Sequence, residues 1–277
     1  MLETKNLTIR FGGHVAVNDV TCSFAPGTLT AIVGPNGAGK TTYFNLISGQ
    51  LKASAGTVSL DGQLLSNLSP SARTHAGLGR AFQLTNLFPN LTVLENVRLA
   101  VQATRGGAHR HGMNLWSIWS DHTALIERAD ELLAQINLKE KEHATVASLP
   151  HGDQRKLEVA LLMALEPKVF MFDEPTAGMN AAEVPVILDL IRHLKADKSK
   201  TILLVEHKMD VVHELADRII VLHNGQLVAD GEPAEVIASP IVQEAYLGLP
   251  AAGAEDASRH VPTPIPAFPR AGEGAKP

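Results

Sequence analysis

The amino-acid sequence predicts an α/β domain with an inserted helical lobe, and three observations support this class. Residues 2–33 contain short strand-like segments that lead into the glycine-rich stretch "VGPNGAGKTT" at positions 33–42. Apolar residues then recur with helical spacing through much of the middle of the chain. From residue 169 onward, strand-like and helical segments alternate, as in parallel sheets that are covered by helices.

The first part of the chain predicts strands followed by a helix. The segments "LETKNLTI", "VNDVTCSF" and "TLTAIV" are separated by "GG" and "PG", which favour turns. A helix is predicted from about Lys40 to Ile47, and Gly49 should end it because glycine tolerates the left-handed conformation at helix C-termini. After it, "GTVSLDGQLL" predicts a strand and turn, "PSARTHAG" a short helix and "LGRAFQ" a strand.

The middle of the chain contains three predicted helices. They cover residues 91–104, the segment "HTALIERADELLAQINL" and the segment "QRKLEVALLMAL", with a loop at residues 105–112. The second helix is amphipathic, because one face carries Leu125, Ala129, Leu132, Leu133 and Ile136. We place this helical insertion at about residues 84–165 of a domain that covers residues 1–249.

The last part returns to alternating elements. The segment "KVFMFD" is apolar almost throughout, which predicts a strand that is buried on both faces. Helices at about 182–196 and 209–216 flank the strand "TILLVE", and the strands "RIIVLHN" and "QLVAD" follow. Residues 250–277 are rich in Pro, Ala and Gly, which predicts a disordered tail.

Charge and composition restrict the class of protein. The net charge of −5 is spread along the chain and argues against a nucleic-acid-binding surface. No apolar run approaches the ~18–20 residues of a membrane span, and "MLETKNLTIRF" lacks the pattern of a signal peptide. We therefore expect a cytosolic protein. Cys22 is the single cysteine, which excludes an internal disulfide, and its apolar surroundings predict a buried, inert thiol.

The glycine-rich stretch fits the phosphate-binding pattern G-x-x-x-x-G-K-[ST]. Glycines let backbone N–H groups approach phosphate oxygens, and the following helix directs its positive end at the same anion. Lys40 should contact the β- and γ-phosphates, Thr41 should bind Mg²⁺, and Thr42 should reach the α-phosphate. The predicted nucleotide-binding residues are Gly34, Pro35, Asn36, Gly37, Ala38, Gly39, Lys40, Thr41 and Thr42.

An acidic pair follows the buried strand "VFMFD". Asp173 and Glu174 lie at its C-terminal end, where α/β sheets bind their ligands. Asp173 should hold Mg²⁺ through water, and Glu174 is the candidate general base for an attacking water. Together with the glycine-rich stretch, this pair predicts a site that binds and hydrolyses a nucleoside triphosphate.

The segment "SLPHGDQRKLEVALLMALEPKVFMFDEPTAGMN" resembles the nucleotide-binding subunits of ATP-binding-cassette (ABC) transporters. This family carries a signature of the type Leu-Ser-Gly-Gly-Gln shortly before the Asp-Glu strand. The resemblance covers residues 2–249 and implies a P-loop NTPase fold with a RecA-like core, an N-terminal antiparallel β lobe and a helical subdomain. It also implies ATP and Mg²⁺. The signature positions are Leu149, Pro150, His151, Gly152 and Asp153.

Other family motifs match in order. Gln83 matches the glutamine that senses Mg²⁺ and the membrane subunits, and His207 matches the histidine that contacts the γ-phosphate. Phe11 matches the aromatic residue that stacks on adenine, with a buried phenylalanine on an edge strand as the alternative interpretation. Residues 176–180, "TAGMN", match the loop that joins the two active sites. The implied catalytic residues are Glu174, His207, Gln83 and Lys40, and the implied Mg²⁺ ligands are Thr41, Gln83 and Asp173.

The resemblance also implies partners. In this family two cassettes meet head to tail, and each ATP lies between the phosphate loop of one and the signature of the other. His151, Gly152 and Asp153 would therefore serve the nucleotide of a second ATPase subunit. Two transmembrane permease subunits, and indirectly a periplasmic solute-binding protein, would complete the system. The chain would then lie on the cytoplasmic face of the inner membrane, and no nucleic-acid partner is expected.

Two positions depart from the family pattern. Pro150 replaces the signature serine and lacks its hydroxyl, but proline is tolerated at a helix start. We therefore still expect activity, with Gly152 facing the phosphate. Asn180 replaces the usual aspartate, and with Glu183 it also forms a capping-box-like helix start.

A finer resemblance is to importers of branched-chain and other hydrophobic amino acids of the LivG type. It is carried by "RFGGHVAVNDV", "FQLTNLFPNLTVLENV", "HGDQRKLEVA", "EHKMDVV" and "EAYLG". Urea or amide importers and the lipopolysaccharide-export ATPase share some of these features. A soluble cassette ATPase of translation or DNA repair is the alternative outside transport, although such proteins usually carry two cassettes or coiled-coil insertions. A GTPase should show an Asn-Lys-x-Asp motif, and "HNGQ" does not supply one.

Overall fold

A computed structural model describes residues 1–81, 87–105, 123–240 and 242 of the chain. No helix among these residues is both long and apolar enough to cross a membrane. The strands are β1 (Leu2–Phe11), β2 (His14–Phe24), β3 (Leu29–Val33), β4 (Ala55–Leu60), β5 (Gln63–Leu64), β6 (Leu78–Ala81), β7 (Val169–Asp173), β8 (Thr201–Val205), β9 (Arg218–His223) and β10 (Gln226–Gly231). The helices are α1 (Lys40–Ser48), α2 (Pro70–His75), α3 (Val93–Arg105), α4 (Thr123–Gln135), α5 (His151–Ala164), α6 (Val184–Ala196), α7 (Met209–Leu215) and α8 (Pro233–Ala238).

The smaller of the two sheets is antiparallel and has the strand order β2-β1-β4-β5. Buried and exposed residues alternate along much of β2, which is the pattern of a sheet with one face on the core. Cys22 belongs to this buried face, and burial raises the pKa of its thiol to about 11. The expectation of an antiparallel lobe with a buried cysteine is therefore confirmed.

The larger sheet has the order β10-β9-β3-β8-β7-β6 and is parallel from β9 to β6. Every residue of β3, β7 and β8 is buried. Alternate residues of β7 enter different apolar clusters: Phe170 and Phe172 pack towards the helical side, whereas Val169 and Met171 pack with α1 and the smaller sheet. Because both faces are covered, the strand is apolar without alternation, as the sequence predicted.

Helices α3, α4 and α5 pack against one another within the cluster on the helical side of the sheet. The predicted apolar face of α4 is confirmed, since Ala129, Leu132 and Leu133 are fully buried and Ile136 follows them into the core. Leu125 is partly buried and packs against the same cluster. The limits of the insertion at about 84 and 165 remain a prediction, and the predicted tail, 250–277, lies outside the described residues.

Most predicted boundaries are close to the observed ones, and the differences have local causes. Helix α1 ends at Ser48, and Gly49 adopts φ of 83° as its C-cap. Helix α3 begins at Val93, two residues after the predicted start, because Thr92 and Glu95 form a capping box with hydrogen bonds of 2.7 and 3.2 Å. Helix α5 begins three residues earlier than predicted, directly after Pro150.

Candidate functional site

The glycine-rich loop connects the end of β3 to the start of α1. Gly34 has φ of 150°, and a Cβ there would lie 2.1 Å from the backbone carbonyl oxygen of Leu222. Gly39 has φ of 96°, and its Cβ would lie 2.5 Å from the carbonyl oxygen of Ala16. These close approaches to rigid backbone explain why both positions require glycine.

The remaining loop residues lie between the two glycines and in the first turn of α1. Asn36 and Gly37 are exposed, whereas Ala38 is buried. Pro35, Thr41 and Thr42 are half-buried. The loop therefore presents exposed backbone beside the N-terminus of a nine-residue helix, which suits a bound phosphate.

Lys40 opens helix α1 and is only 8% exposed. Its Nζ donates hydrogen bonds to the carbonyl oxygens of Gly34 at 2.6 Å and Pro35 at 3.0 Å. Burial lowers the pKa of its ammonium, while the negative charges of Glu174 and Asp173 oppose that shift. The lysine therefore shares one electrostatic environment with both acidic residues that the sequence singled out.

Asp173 ends strand β7 and is buried. Arg80 of β6 donates to its Oδ2 at 2.8 Å and also to Asn45 at 2.6 Å and Ser48 at 2.8 Å on α1. Burial raises the pKa of the Asp173 carboxyl, and the Arg80 guanidinium opposes this rise. Sequence reasoning missed Arg80, although an arginine within a short, otherwise apolar strand was the available signal.

Glu174 and His207 lie beyond neighbouring strands of the parallel sheet. Glu174 has φ of 50°, an uncommon left-handed conformation for this residue type, and its N–H donates to Val205 at 2.9 Å. The Nδ1 of His207 lies 3.8 Å from Oε1 of Glu174, and the two side chains are 52% and 41% exposed. We call residues 34–42, Asp173, Glu174 and His207 the phosphate-binding edge.

The buried carboxylate of Glu206 holds the segment that carries His207. Glu206, which precedes His207, has 0% exposure. Its Oε1 accepts from the Thr176 hydroxyl at 2.7 Å, and its Oε2 accepts from the backbone N–H groups of His207 at 3.0 Å and Lys208 at 3.3 Å. Sequence reasoning missed Glu206, because nothing in its neighbourhood in the chain indicates the contact with Thr176.

The signature segment, residues 149–153, is held by contacts within the same chain. Pro150 is the N-cap of α5, and His151 is exposed in the first turn. Gly152 is buried, and a Cβ there would lie 2.0 Å from Oε1 of Glu183. Pro150 is tolerated at this helix start, as expected, but a carboxylate of this chain packs against Gly152.

Asp153 is buried and ion-paired. It accepts hydrogen bonds from Lys141 and, at 2.9 Å, from Lys156. Burial by itself raises the pKa of this carboxyl, but the two lysines more than offset this and lower it below its usual value. Its role towards a second cassette's nucleotide remains a prediction.

Three further sequence predictions have different outcomes. Phe11 ends β1 and is 49% exposed, so the alternative of a buried edge-strand phenylalanine is wrong. Asn180 and Glu183 make the reciprocal hydrogen bonds of the predicted capping box, but Asn180 is not the N-cap, because α6 begins at Val184 with Glu183 as its N-cap. Gln83 lies outside the described residues.

Two family models match the chain. Residues 17–177 match the model described as ABC transporter, which covers more than half of the sequence. Residues 226–252 match the model described as branched-chain amino acid ATP-binding cassette transporter. The first match includes the glycine-rich loop, the signature segment and Glu174, and the second lies near the C-terminal end.

The chain is also similar to curated transport proteins. It is 37% identical over 249 residues to the high-affinity branched-chain amino acid transport ATP-binding protein LivG of Escherichia coli strain K12, covering 90% of this chain and 98% of LivG. It is 35% identical over 256 residues to BraF of Pseudomonas aeruginosa, which has the corresponding description, covering 90% and 98%. Nearly the whole length of each relative is therefore matched.

Solved structures agree with these matches. An ATP-binding cassette of an ABC transporter in its ADP conformation superposes with a TM-score of 0.74 at 30% identity, covering 90% of this chain and 99% of that one. A dimeric cassette in a post-hydrolysis state, bound to ADP and Pi, gives a TM-score of 0.71 at 27% identity, covering 84% and 99%. The chain therefore belongs to the ABC transporter family, as an ATP-binding subunit of the branched-chain amino acid branch.

Proposed function

We propose that this chain hydrolyses ATP to ADP and phosphate and thereby powers the import of branched-chain or other hydrophobic amino acids. The observation that carries the proposal is the convergence of Lys40, Asp173, Glu174 and His207 at the carboxyl ends of parallel strands. The transported solute is proposed because LivG and BraF are described as branched-chain amino acid transport proteins.

The chemistry that we propose is an in-line attack of water on the γ-phosphorus. Glu174 takes a proton from the water, the new phosphorus–oxygen bond forms, and the bond to the bridging oxygen breaks as ADP leaves with the electron pair. His207 holds the γ-phosphate opposite Glu174, and Lys40 neutralises charge that develops on the phosphate oxygens. Phe11 is exposed and accessible to stack on adenine, as the family resemblance implies.

Mg²⁺ fits the oxygen ligands at this edge. Within the described residues there is no cluster of three or more His, Cys, Asp or Glu side chains that could hold a metal ion. Mg²⁺ is usually held by one or two carboxylates together with substrate phosphates and waters, so Asp173 and the Thr41 hydroxyl suit it when nucleotide is present. Bound there, it would offset the negative charge of the phosphates, and Gln83 is its third proposed ligand.

We propose further that the site is completed by a second cassette, either a copy of this chain or a sister subunit. His151 is exposed at the start of α5 and would contact the partner's nucleotide together with Gly152 and Asp153. The dimeric solved cassette with bound ADP and Pi supports such an arrangement. Two permease subunits would carry the solute, with this chain on the cytoplasmic face of the inner membrane.

Co-purification from native membranes tests the transport role. The tagged full-length chain is solubilised gently, and every accompanying chain is identified. We expect two multi-span permeases and a second cassette ATPase, and the co-encoded solute-binding protein should bind branched-chain amino acids. A solute-binding protein specific for urea or an amide would indicate that the chain serves a urea or amide importer instead. Recovery only with ribosomes or nucleic acid would overturn the transport role and favour a soluble cassette ATPase.

A further inference from the structure

Glu206 occupies an unusual position for a carboxylate. It follows β8 directly, its side chain is fully buried, and it accepts three hydrogen bonds, from the Thr176 hydroxyl and two backbone N–H groups. Burying a carboxylate is unfavourable unless its oxygens are satisfied, and these three donors satisfy both. The sequence assigned no role to this residue, although it opens the segment "EHKMDVV" that carries part of the family resemblance.

The two loops that Glu206 connects carry different parts of the site. Thr176 is buried and lies two residues after Glu174, at the start of the 176–180 loop. The backbone N–H groups belong to His207 and Lys208, at the start of the loop that leads into α7. One buried carboxylate therefore adds a side-chain link between the segment of the general base and the segment of the histidine, beside the backbone bond from Glu174 to Val205.

We infer that Glu206 is a positioning residue that holds His207 in register with Glu174 through Thr176. The Nδ1 of His207 and Oε1 of Glu174 are 3.8 Å apart, and because both side chains are about half exposed, the positions of their backbones largely set this separation. Movement of the 176–180 loop is transmitted to His207 by the same hydrogen bond. Glu206 therefore affects hydrolysis only through Thr176 and the backbone of His207 and Lys208.

The inference rests on the proposed hydrolysis and is tested with Thr176→Val in the purified full-length chain. This variant removes the hydroxyl but keeps the shape of the side chain. We expect kcat for ATP hydrolysis to fall about tenfold, the usual effect of one lost positioning hydrogen bond. KM and the affinity for a fluorescent ATP analogue should stay within twofold, because the Nζ of Lys40 is held by hydrogen bonds to Gly34 and Pro35 rather than by this link. Thr176→Ser should lie closer to the parent than Thr176→Val.

Thr30→Val is the matched control. Thr30 is fully buried on β3, and within the described residues its hydroxyl has no hydrogen-bond partner. Removing that hydroxyl should leave kcat unchanged, whereas a tenfold loss in this variant would show that kcat responds to any buried Thr→Val change and would overturn the inference. Melting temperatures of both variants establish that the compared proteins are folded.

A double-mutant cycle with His207→Ala separates positioning from general loosening of the fold. If the link acts through His207, Thr176→Val should change single-turnover hydrolysis by less than twofold once His207 is absent. A full tenfold effect in that background would overturn the inference. A parent chain that hydrolyses no ATP would overturn the proposed function instead, so the two failures are distinguishable.

Discussion

The phosphate-binding edge and the signature segment both carry polar residues near a helix N-terminus, but they use them differently. At the edge, Lys40 lies in the field of Asp173 and Glu174, and His207 faces Glu174. In the signature segment, Asp153 is neutralised by two lysines of its own chain. The edge is thus assembled within one chain, whereas the segment, held by contacts of its own chain, would on our proposal complete a site in another chain.

The largest expected effect compares two buried lysines, one in each region. Lys40→Met should weaken ATP binding and lower hydrolysis by at least about 10²-fold, because it removes a charge directed at the phosphates. Lys156→Met is the control, since Lys156 is equally buried but donates to Asp153 on α5. Titration of the isolated chain with a fluorescent ATP analogue should show unchanged affinity for this control. An equal loss of ATP affinity in both variants would contradict the account that only the phosphate-binding edge holds the nucleotide of its own chain.

A smaller effect is expected on stability when the glycines of the two regions are exchanged for alanine. Gly34→Ala should lower the free energy of unfolding by about 3 kcal/mol, because the new Cβ meets the fixed backbone carbonyl of Leu222. Gly152→Ala should lower it by only about 1 kcal/mol, because the obstructing Glu183 carboxylate ends a movable side chain. Urea unfolding of the two variants measures both values, and the reverse order would show that the segment is the more constrained region.

The smallest effect concerns pH and Asp153. Its pKa is lowered in the folded chain, so its ion pairs stabilise the fold above the usual pKa of about 4 and are lost as pH falls through the folded value. Asp153→Asn should therefore lower the free energy of unfolding by about 1 to 2 kcal/mol at pH 7 and by less below pH 4. Chemical unfolding at pH 7 and pH 3.5 measures this difference. A difference that grows on acidification would contradict the ion-pair account.

Local signals predicted much of the fold. The glycine-rich stretch located both the loop and α1, and the apolar run of β7 identified a strand covered on both faces. The start of α5 was placed late, because its first turn, "HGD", offers little helical periodicity and Pro150 alone marks the boundary. The start of helix α3 was placed two residues too early, because the residues that cap the helix continue its helical sequence pattern towards the N-terminus.

The contacts that organise the site were less predictable. Arg80 reaches Asp173 across 93 residues of sequence, and Glu206 reaches Thr176 across 30. Such pairs arise only when the parallel strands bring their ends together, and no local periodicity encodes them. The packing of Glu183 against Gly152 is of the same kind. The sequence could therefore name the proposed catalytic residues but not the side chains that surround them.

Hydrolysis by Glu174→Gln tests the central claim most directly. The amide keeps the size of the side chain but cannot accept a proton from water. Glu158→Gln is the control, because Glu158 is a buried carboxylate on α5 that pairs with Arg155. We predict that Glu174→Gln binds ATP within twofold of the parent and hydrolyses it at least ~10²-fold more slowly, with Glu158→Gln active. Hydrolysis by Glu174→Gln at the parent's rate would contradict the account.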